Sequence, residues 1–146
     1  NLRRAAKPGG RLCLAAWAAA EENPWFHIPA AAAIAELGEV ETDPNAPSPT
    51  AFRDIPRIQA ILRNAGWKDV RGETVSVDIT PPGSLHDAAD QATRLGMAAR
   101  ILRATGADEA ARGRIVARIE DGLRGFETPD GVRVKGRFNF FDGAAP

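Results

Sequence analysis

The sequence predicts an α/β fold built around a three-stranded sheet, and three observations support this. Residues 12–17 form an apolar run without a polar residue, which is typical of a strand covered on both faces within a parallel sheet. Residues 55–65 place apolar side chains at the spacing of an α-helix. Residues 75–79 and 132–140 alternate apolar with charged or polar side chains, as half-covered strands do.

Composition restricts the classes of function. The chain has 146 residues, enough for one domain with a useful core. Its 19 basic and 19 acidic residues give a formal net charge of zero, so no overall field attracts nucleic acid or an anionic membrane. No apolar stretch approaches the roughly 20 residues that span a bilayer, and no signal-peptide pattern begins the sequence. We therefore expect a cytoplasmic protein that binds neither nucleic acid nor membranes.

The few residues with reactive side chains do not form a recognisable catalytic or metal motif. Cys13 is the single cysteine, and its place in the apolar run predicts a buried, unreactive thiol in a reducing compartment. His27 and His86 are far apart in sequence, so we do not expect a metal site. Glu21 and Glu22 could act as an acid and base pair, or they could form a solvated turn.

The segment after the apolar strand is the most distinctive loop. Residues 18–29 leave the strand, and Asn23-Pro24 favours a turn that carries Trp25 and Phe26. An alanine-rich helix is expected next, over residues 30–37, with Gly38 ending it. Residues 39–49 are acidic and rich in proline, which predicts a mobile lid.

Helix boundaries are predicted by capping residues. Asp54 is expected to cap the helix over residues 55–65, with Gly66 after its end and Trp67 packed against its last turn. Ser84 and Asp87 resemble a capping box that opens a long helix, which Gly96 could divide. A further helix is expected from about Asp108.

Four short motifs together resemble one protein family. They are Lys-Pro-Gly-Gly at residues 7–10 before an apolar strand, Asn-Pro-Trp-Phe at 23–26, Ala-Gly-Trp at 65–67, and Asp-Val-Arg at 69–71. In this combination the chain resembles the C-terminal half of class I S-adenosylmethionine-dependent methyltransferases. The nearest type is the ubiquinone/menaquinone-biosynthesis-like branch that acts on small molecules, and the resemblance spans essentially residues 1–146.

The resemblance implies a Rossmann-like sheet of seven strands, of which this chain supplies three. Residues 11–17 would be the fifth strand, residues 70–79 the sixth, and residues 132–141 the antiparallel seventh, inserted between the other two. The early part of the last strand is rich in charge, so we expect it to project beyond the sheet and only residues 138–141 to lie inside. Helices over residues 85–124 would form a cover over the acceptor.

The resemblance also implies that the cofactor site lies elsewhere. The family's glycine-rich loop and acidic cofactor residues would precede Asn1, so no cofactor-binding residue is assigned here. We therefore expect this chain to be part of a longer polypeptide and not to bind S-adenosylmethionine alone. Its first strand would lack a neighbour, which predicts association with a second copy or with the missing N-terminal half.

Trp17, Trp25, Phe26 and His27 are the candidate acceptor-binding residues. They follow the end of the apolar strand, where open α/β sheets place ligands, and aromatic rings can stack on a flat substrate. Alternatively, Trp25 and Phe26 hold the loop against the next helix, and His27 is a structural residue instead of a proton acceptor. No catalytic residue is assigned.

The expected function is methyl transfer from S-adenosylmethionine to a small aromatic or hydrophobic acceptor. Such a reaction depends chiefly on positioning the acceptor and excluding water, so it needs aromatic walls more than an enzymatic nucleophile. The alternative is a non-catalytic ligand-binding or dimerisation module that keeps this half of the fold without the cofactor half.

Overall fold

The computed structural model describes residues 1–41 and 47–146, and these form two compact units. The first, here called the sheet unit, comprises Asn1–Ala20, Pro47–Val77 and Arg137–Pro146. The second, here called the helical unit, comprises Glu21–Ala46 and Asp78–Gly136. Along the chain the elements are α1 (Leu2–Ala5), β1 (Arg11–Trp17), α2 (Pro24–Leu37), α3 (Ile55–Asn64), β2 (Lys68–Ile79), α4 (Leu85–Ala92), α5 (Gly96–Thr105), α6 (Glu109–Leu123), β3 (Glu127–Thr128), β4 (Gly131–Val132) and β5 (Val134–Ala144).

The main sheet has the strand order β1-β5-β2, so the last strand of the chain lies in the middle. β1 and β5 are antiparallel, and their register runs from Trp17 opposite Phe138 to Arg11 opposite Ala144. The protein is therefore α/β, and β5 has the central place and the antiparallel direction that the sequence analysis expected.

β2 also runs antiparallel to β5. Its residues meet β5 in reverse order: Gly72 approaches Phe141, and Thr74 hydrogen-bonds to Asn139. Further along β2, the Arg137 guanidinium donates to Ser76. The three-stranded sheet is thus antiparallel at both of its pairings, and the parallel pairing of a Rossmann-like sheet does not occur between these three strands.

Helix α3 covers one face of this sheet. Its buried residues Ile58 and Leu62 pack with Leu12 and Phe141, and Trp67 joins the same cluster. The cap prediction is confirmed, because the Asp54 carboxylate accepts a hydrogen bond of 3.0 Å from the backbone N–H of Arg57. Gly66 follows the helix with a φ of +89°, as a C′ glycine does. Ile61, which the period placed on the apolar face, is exposed instead.

The prediction that β1 is covered on both faces is wrong for this chain. Leu12 is buried on the side of α3, but Cys13 and Ala15 point to the other side and are exposed. The Cys13 thiol is therefore exposed, and the prediction that it is buried is wrong. The physical reason is that β1 lies at the edge of the sheet, and α3 supplies cover for one face only.

The helical unit has its own core between α2, α4, α5 and α6. The Ser84 capping box is confirmed: its hydroxyl accepts from the backbone of Asp87, and its backbone N–H donates to the Asp87 carboxylate at 2.8 Å. Gly96, with a φ of +61°, begins α5 three residues beyond the Thr93 cap of α4, so the expected division occurs there. Helix α6 begins next to Asp108, as expected, and the Asp108 side chain caps it.

Helix α2 begins six residues before the predicted start. Pro24 occupies its first turn. Proline is favoured there because a backbone N–H at this position would have no acceptor within the helix. The helix then continues through Pro29 to Leu37 and ends at Gly38, as expected. Trp25 and Phe26 therefore lie in the first helical turn, and the predicted loop at this point is wrong.

The last strand is shifted toward the C-terminus. Pairing with β1 begins at Phe138, as expected, but it continues to Ala144 instead of ending at 141. Val132 and Val134 are fully buried in the core of the helical unit. The early part of the predicted strand, before residue 138, therefore does not pair with β1. Its apolar side chains are instead covered by helices.

The predicted lid over residues 39–49 is described only in part, because residues 42–46 lie outside the described residues. Val40 packs against the core of the helical unit, which the polar composition did not suggest. The Arg100 guanidinium donates to the backbone oxygen of Glu41 at 3.4 Å.

Across residues 1–41 and 47–146, no helix combines the length and the apolar character that crossing a membrane requires.

Candidate functional site

The start of α2 places two of the predicted acceptor-binding residues. Asn23 is completely buried, and its backbone oxygen accepts from the N–H groups of Phe26 at 2.8 Å and His27 at 3.1 Å. These bonds fix the first turn of the helix. Because Trp25 and Phe26 lie in that turn, their positions are set by regular helical backbone and not by a loop.

Trp25 and Phe26 line an apolar recess within the helical unit. The recess is lined by Trp25, Phe26, Pro29, Ala92, Leu95, Gly96 and Met97. None of these side chains is charged, and the free space is about 10 Å³, room for about one water molecule. The ring of Phe26 lies 3.7 Å from the position that a Cβ atom on Gly96 would occupy. The glycine therefore allows the start of α5 to approach the aromatic ring closely.

Leu95 and Met97 were not among the predicted acceptor-binding residues. They flank Gly96 at the break between α4 and α5, and their exposed fractions are 53% and 37%. The signal that could have found them is a helix-breaking glycine between two large apolar residues.

The other two predicted residues are placed differently. His27 is exposed on α2 and does not line the recess. Trp17 belongs to the sheet unit, where its ring stacks on that of Phe138 with centroids 4.2 Å apart and planes inclined by 30°. The structure thus brings Trp25 and Phe26 into one recess and gives Trp17 a packing partner in the sheet.

Glu21 and Glu22 lie in a short 3-10 turn, Ala20–Glu22, and both are exposed. This environment favours the solvated-turn interpretation over an acid and base pair, because an exposed carboxyl lacks the burial that tunes a catalytic group.

A second concave surface lies between α4 and α6. It is a groove of about 310 Å³ lined by His86, Asp90, Glu109, Arg112, Gly113, Val116, Ala117 and Glu120. The Nδ1 atom of His86 is 2.5 Å from the Glu120 carboxylate, and this hydrogen bond raises the pKa of His86. Arg112 donates to Asp90 across the same two helices.

The charges of this groove compensate one another. Hydrogen bonds from Arg94, together with the charge of Arg112, lower the pKa of Asp90. Arg112 also donates to the buried hydroxyl of Thr93 and approaches Glu109 at 3.5 Å. The ionised groups of the groove are paired with one another, and the pairs between α4 and α6 hold these two helices together.

Among the described residues, no three histidine, cysteine or acidic side chains lie close enough to hold a metal ion together. No model of a known protein family matches the sequence, and no curated protein matches it. The class that the fold defines is an α/β protein with a three-stranded antiparallel sheet, and its apolar recess is the candidate ligand site.

Proposed function

We propose that this protein is the acceptor-side, C-terminal part of an S-adenosylmethionine-dependent methyltransferase of the Rossmann-like class. The observation that carries the proposal is the strand order β1-β5-β2, with β5 antiparallel to β1. The family resemblance implies this order and direction for its fifth, seventh and sixth strands. Short hairpin connections would instead have paired strands that are neighbours in sequence, so the observed order is a specific feature.

The second support is the chemistry of the recess. Trp25 and Phe26 offer aromatic faces in surroundings without charge, which suits a flat, uncharged acceptor. In the proposed reaction S-adenosylmethionine, held by the rest of the polypeptide, would supply the methyl group to an acceptor atom and leave as S-adenosylhomocysteine, and the proton lost by that atom would pass to solvent. The residues of this chain would hold the acceptor at attack distance and keep water away.

The cofactor would be bound by a half of the polypeptide that precedes Asn1. Within the described residues β1 pairs with β5 alone, so its other edge offers backbone groups to a further strand. Cys13 and Ala15 on the uncovered face would then be covered by helices of that half.

The test uses the full-length polypeptide and the sequence upstream of Asn1. We expect a strand followed by a G-x-G loop upstream, micromolar binding of S-adenosylmethionine by calorimetry, and transfer of a labelled methyl group to small aromatic acceptors. An upstream sequence without such a strand and loop, in a protein that does not bind the cofactor, would remove the proposal.

The alternative is a non-catalytic module that binds a ligand or another chain. Within the part of the chain that the structure describes, β1 pairs with β5 alone, and this favours the module, because a strand edge can pair with a partner strand without any cofactor half. The same upstream sequence distinguishes the two functions, since a module needs no glycine-rich loop.

A further inference from the structure

The walls of the aromatic recess differ in their exposure. Pro29 and Ala92 are buried, and Trp25 and Phe26 are half-buried. By contrast, the three consecutive residues on the remaining side, Leu95, Gly96 and Met97, are all exposed. We call these three residues the outer wall.

The packing of the helical unit does not account for the two large side chains of the outer wall. The core is already closed by fully buried aliphatic residues: Ile101, Ile115, Ile119 and Leu123 have no exposed surface. Leu95 and Met97 are absent from that core cluster and from the residues packed against it. Leu95 and Met97 thus keep 53% and 37% of their surface exposed beside the aromatic residues, and covering that remaining surface would be favourable.

The outer wall also lies where the backbone changes direction. Helix α4 ends with the Thr93 cap, and α5 begins at Gly96 in a left-handed conformation with a φ of +61°. Arg94 is held to α4 by hydrogen bonds of 3.1 and 2.9 Å to Asp90, so the end of α4 is anchored. Leu95 and Met97 follow that anchor, and a methionine side chain in particular adapts to different shapes.

We propose that Leu95 and Met97 determine the acceptor specificity of this site by closing over a flat, uncharged ring that stacks on Trp25 and Phe26. This inference rests on the proposed function of the recess as the acceptor site. Because the free space admits about one water molecule, a ring enters only when the two flexible side chains turn away and then cover its outer surface. Among the described residues the lining carries no charged side chain, so an ionised ring substituent would be less favourable there than an uncharged one.

The test measures the dissociation constant of 2-naphthol, with 2-naphthoate as a charged probe of similar shape, on the full-length protein. We expect Leu95→Ser to weaken 2-naphthol binding by roughly tenfold, because a leucine side chain contributes substantially when it leaves water. Met97→Ser should act in the same direction, whereas Met97→Leu should retain most of the affinity. Binding of 2-naphthoate should be at least about tenfold weaker than that of 2-naphthol in the unchanged protein.

Ile61→Ser is the matched control, since Ile61 is a similarly exposed aliphatic residue on α3 of the sheet unit. It should leave 2-naphthol affinity unchanged, and thermal unfolding of all variants should stay close to that of the parent. The inference is overturned if 2-naphthol does not bind, if Leu95→Ser binds it within twofold of the parent, if Ile61→Ser loses equal affinity, or if 2-naphthoate binds as tightly.

These results separate the inference from the proposed function. If the protein transfers methyl groups and Leu95→Ser leaves the KM for the acceptor unchanged, the specificity role of Leu95 and Met97 alone is overturned. Binding of 2-naphthol that depends on Leu95, in a full-length protein without S-adenosylmethionine binding, would instead remove the methyltransferase function and leave a ligand site.

Discussion

The hydroxyl of Thr74 donates a 2.8 Å hydrogen bond to the side-chain oxygen of Asn139, which is 1% exposed in the middle strand of the sheet. The amide nitrogen of Asn139 donates in turn to the backbone oxygens of Phe52 at 3.1 Å and Arg53 at 3.0 Å. One buried amide therefore joins β5 to β2 and to the segment that leads into α3. The donors and the acceptor of the Asn139 amide all have partners. The amide therefore fixes how these three segments pack together and does not destabilise the core.

Replacing Asn139 by Leu should lower the free energy of unfolding by about 2 kcal/mol or more, because three partly buried polar groups lose their partner. Thr74→Val removes a single hydrogen bond and should cost about 1 kcal/mol. Urea unfolding measures both. Asn64→Leu, at the exposed end of α3, is the control, and an equal loss in that variant would contradict the role of Asn139.

Replacing Trp25 or Phe26 by Ala in the full-length protein should raise the acceptor KM or lower kcat/KM by roughly tenfold or more, since each removes stacking surface from the recess. Affinity for S-adenosylmethionine should remain nearly unchanged. Steady-state kinetics and calorimetry make the two measurements. Phe52→Ala, which alters an exposed aromatic residue of the sheet unit, should leave both values unchanged.

A parallel loss of acceptor and cofactor binding in the Trp25 and Phe26 variants would count against a substrate role. So would a loss of activity that follows the loss of folded protein, because the aromatic residues would then act only by packing.

The His86–Glu120 pair should make stability depend on pH. The folded pKa of His86 is raised above its ordinary value of 6.5, first by the hydrogen bond with Glu120 and then by its charge, with smaller contributions from Asp87 and Asp90. A raised pKa means that the protonated form stabilises the folded state. The contribution is complete below about pH 6.5 and disappears as pH rises through the folded pKa.

The measurement is the free energy of unfolding of the parent and of Glu120→Gln between about pH 6 and pH 9. The parent should be the more stable at the acidic end, and the difference should shrink as pH rises. A difference that stays constant over this range would show that the ion pair does not contribute through the His86 proton.

The chain of residues 1–146 without the rest of the polypeptide should self-associate and should not bind S-adenosylmethionine. Self-association is expected because, within the described residues, β1 pairs with β5 alone and Cys13 and Ala15 are exposed. Cofactor binding is not expected because the proposed function assigns it to residues outside 1–146. Light scattering should therefore report more than one copy, and Ala15→Lys should reduce association because it places a charge on the uncovered face of that strand. Ala110→Lys, at an exposed position of α6, should have no such effect. A compact monomer that binds the cofactor would contradict the assignment of both the strand and the missing cofactor half.

Several features of the fold were predictable because they depend on residues that are close in sequence. Asp54 and Ser84 with Asp87 cap the helices that they were expected to cap, and α6 begins next to Asp108 as expected, since each of these side chains bonds a backbone N–H within the next turn. Gly96 marks the division between α4 and α5 because its left-handed conformation is accessible mainly to glycine. Pro24 carries a similar local signal for the start of α2, but Asn-Pro also favours a turn, so the local sequence does not decide between the two.

Other features of the site were decided by contacts between distant residues. The apolar sequence of β1 is equally compatible with one or two covered faces, and only the placement of α3 exposes Cys13 and buries Leu12. Likewise, a half-polar strand does not reveal that Asn139 will meet Phe52, Arg53 and Thr74. The sequence by itself therefore determined the starts of α3, α4 and α6 and the presence of the three strands of the main sheet, since hydrogen bonds and backbone preferences act over a few residues. Tertiary structure alone decided which strand face is covered and which side chains meet Phe26, because packing joins surfaces that the chain brings together from far apart.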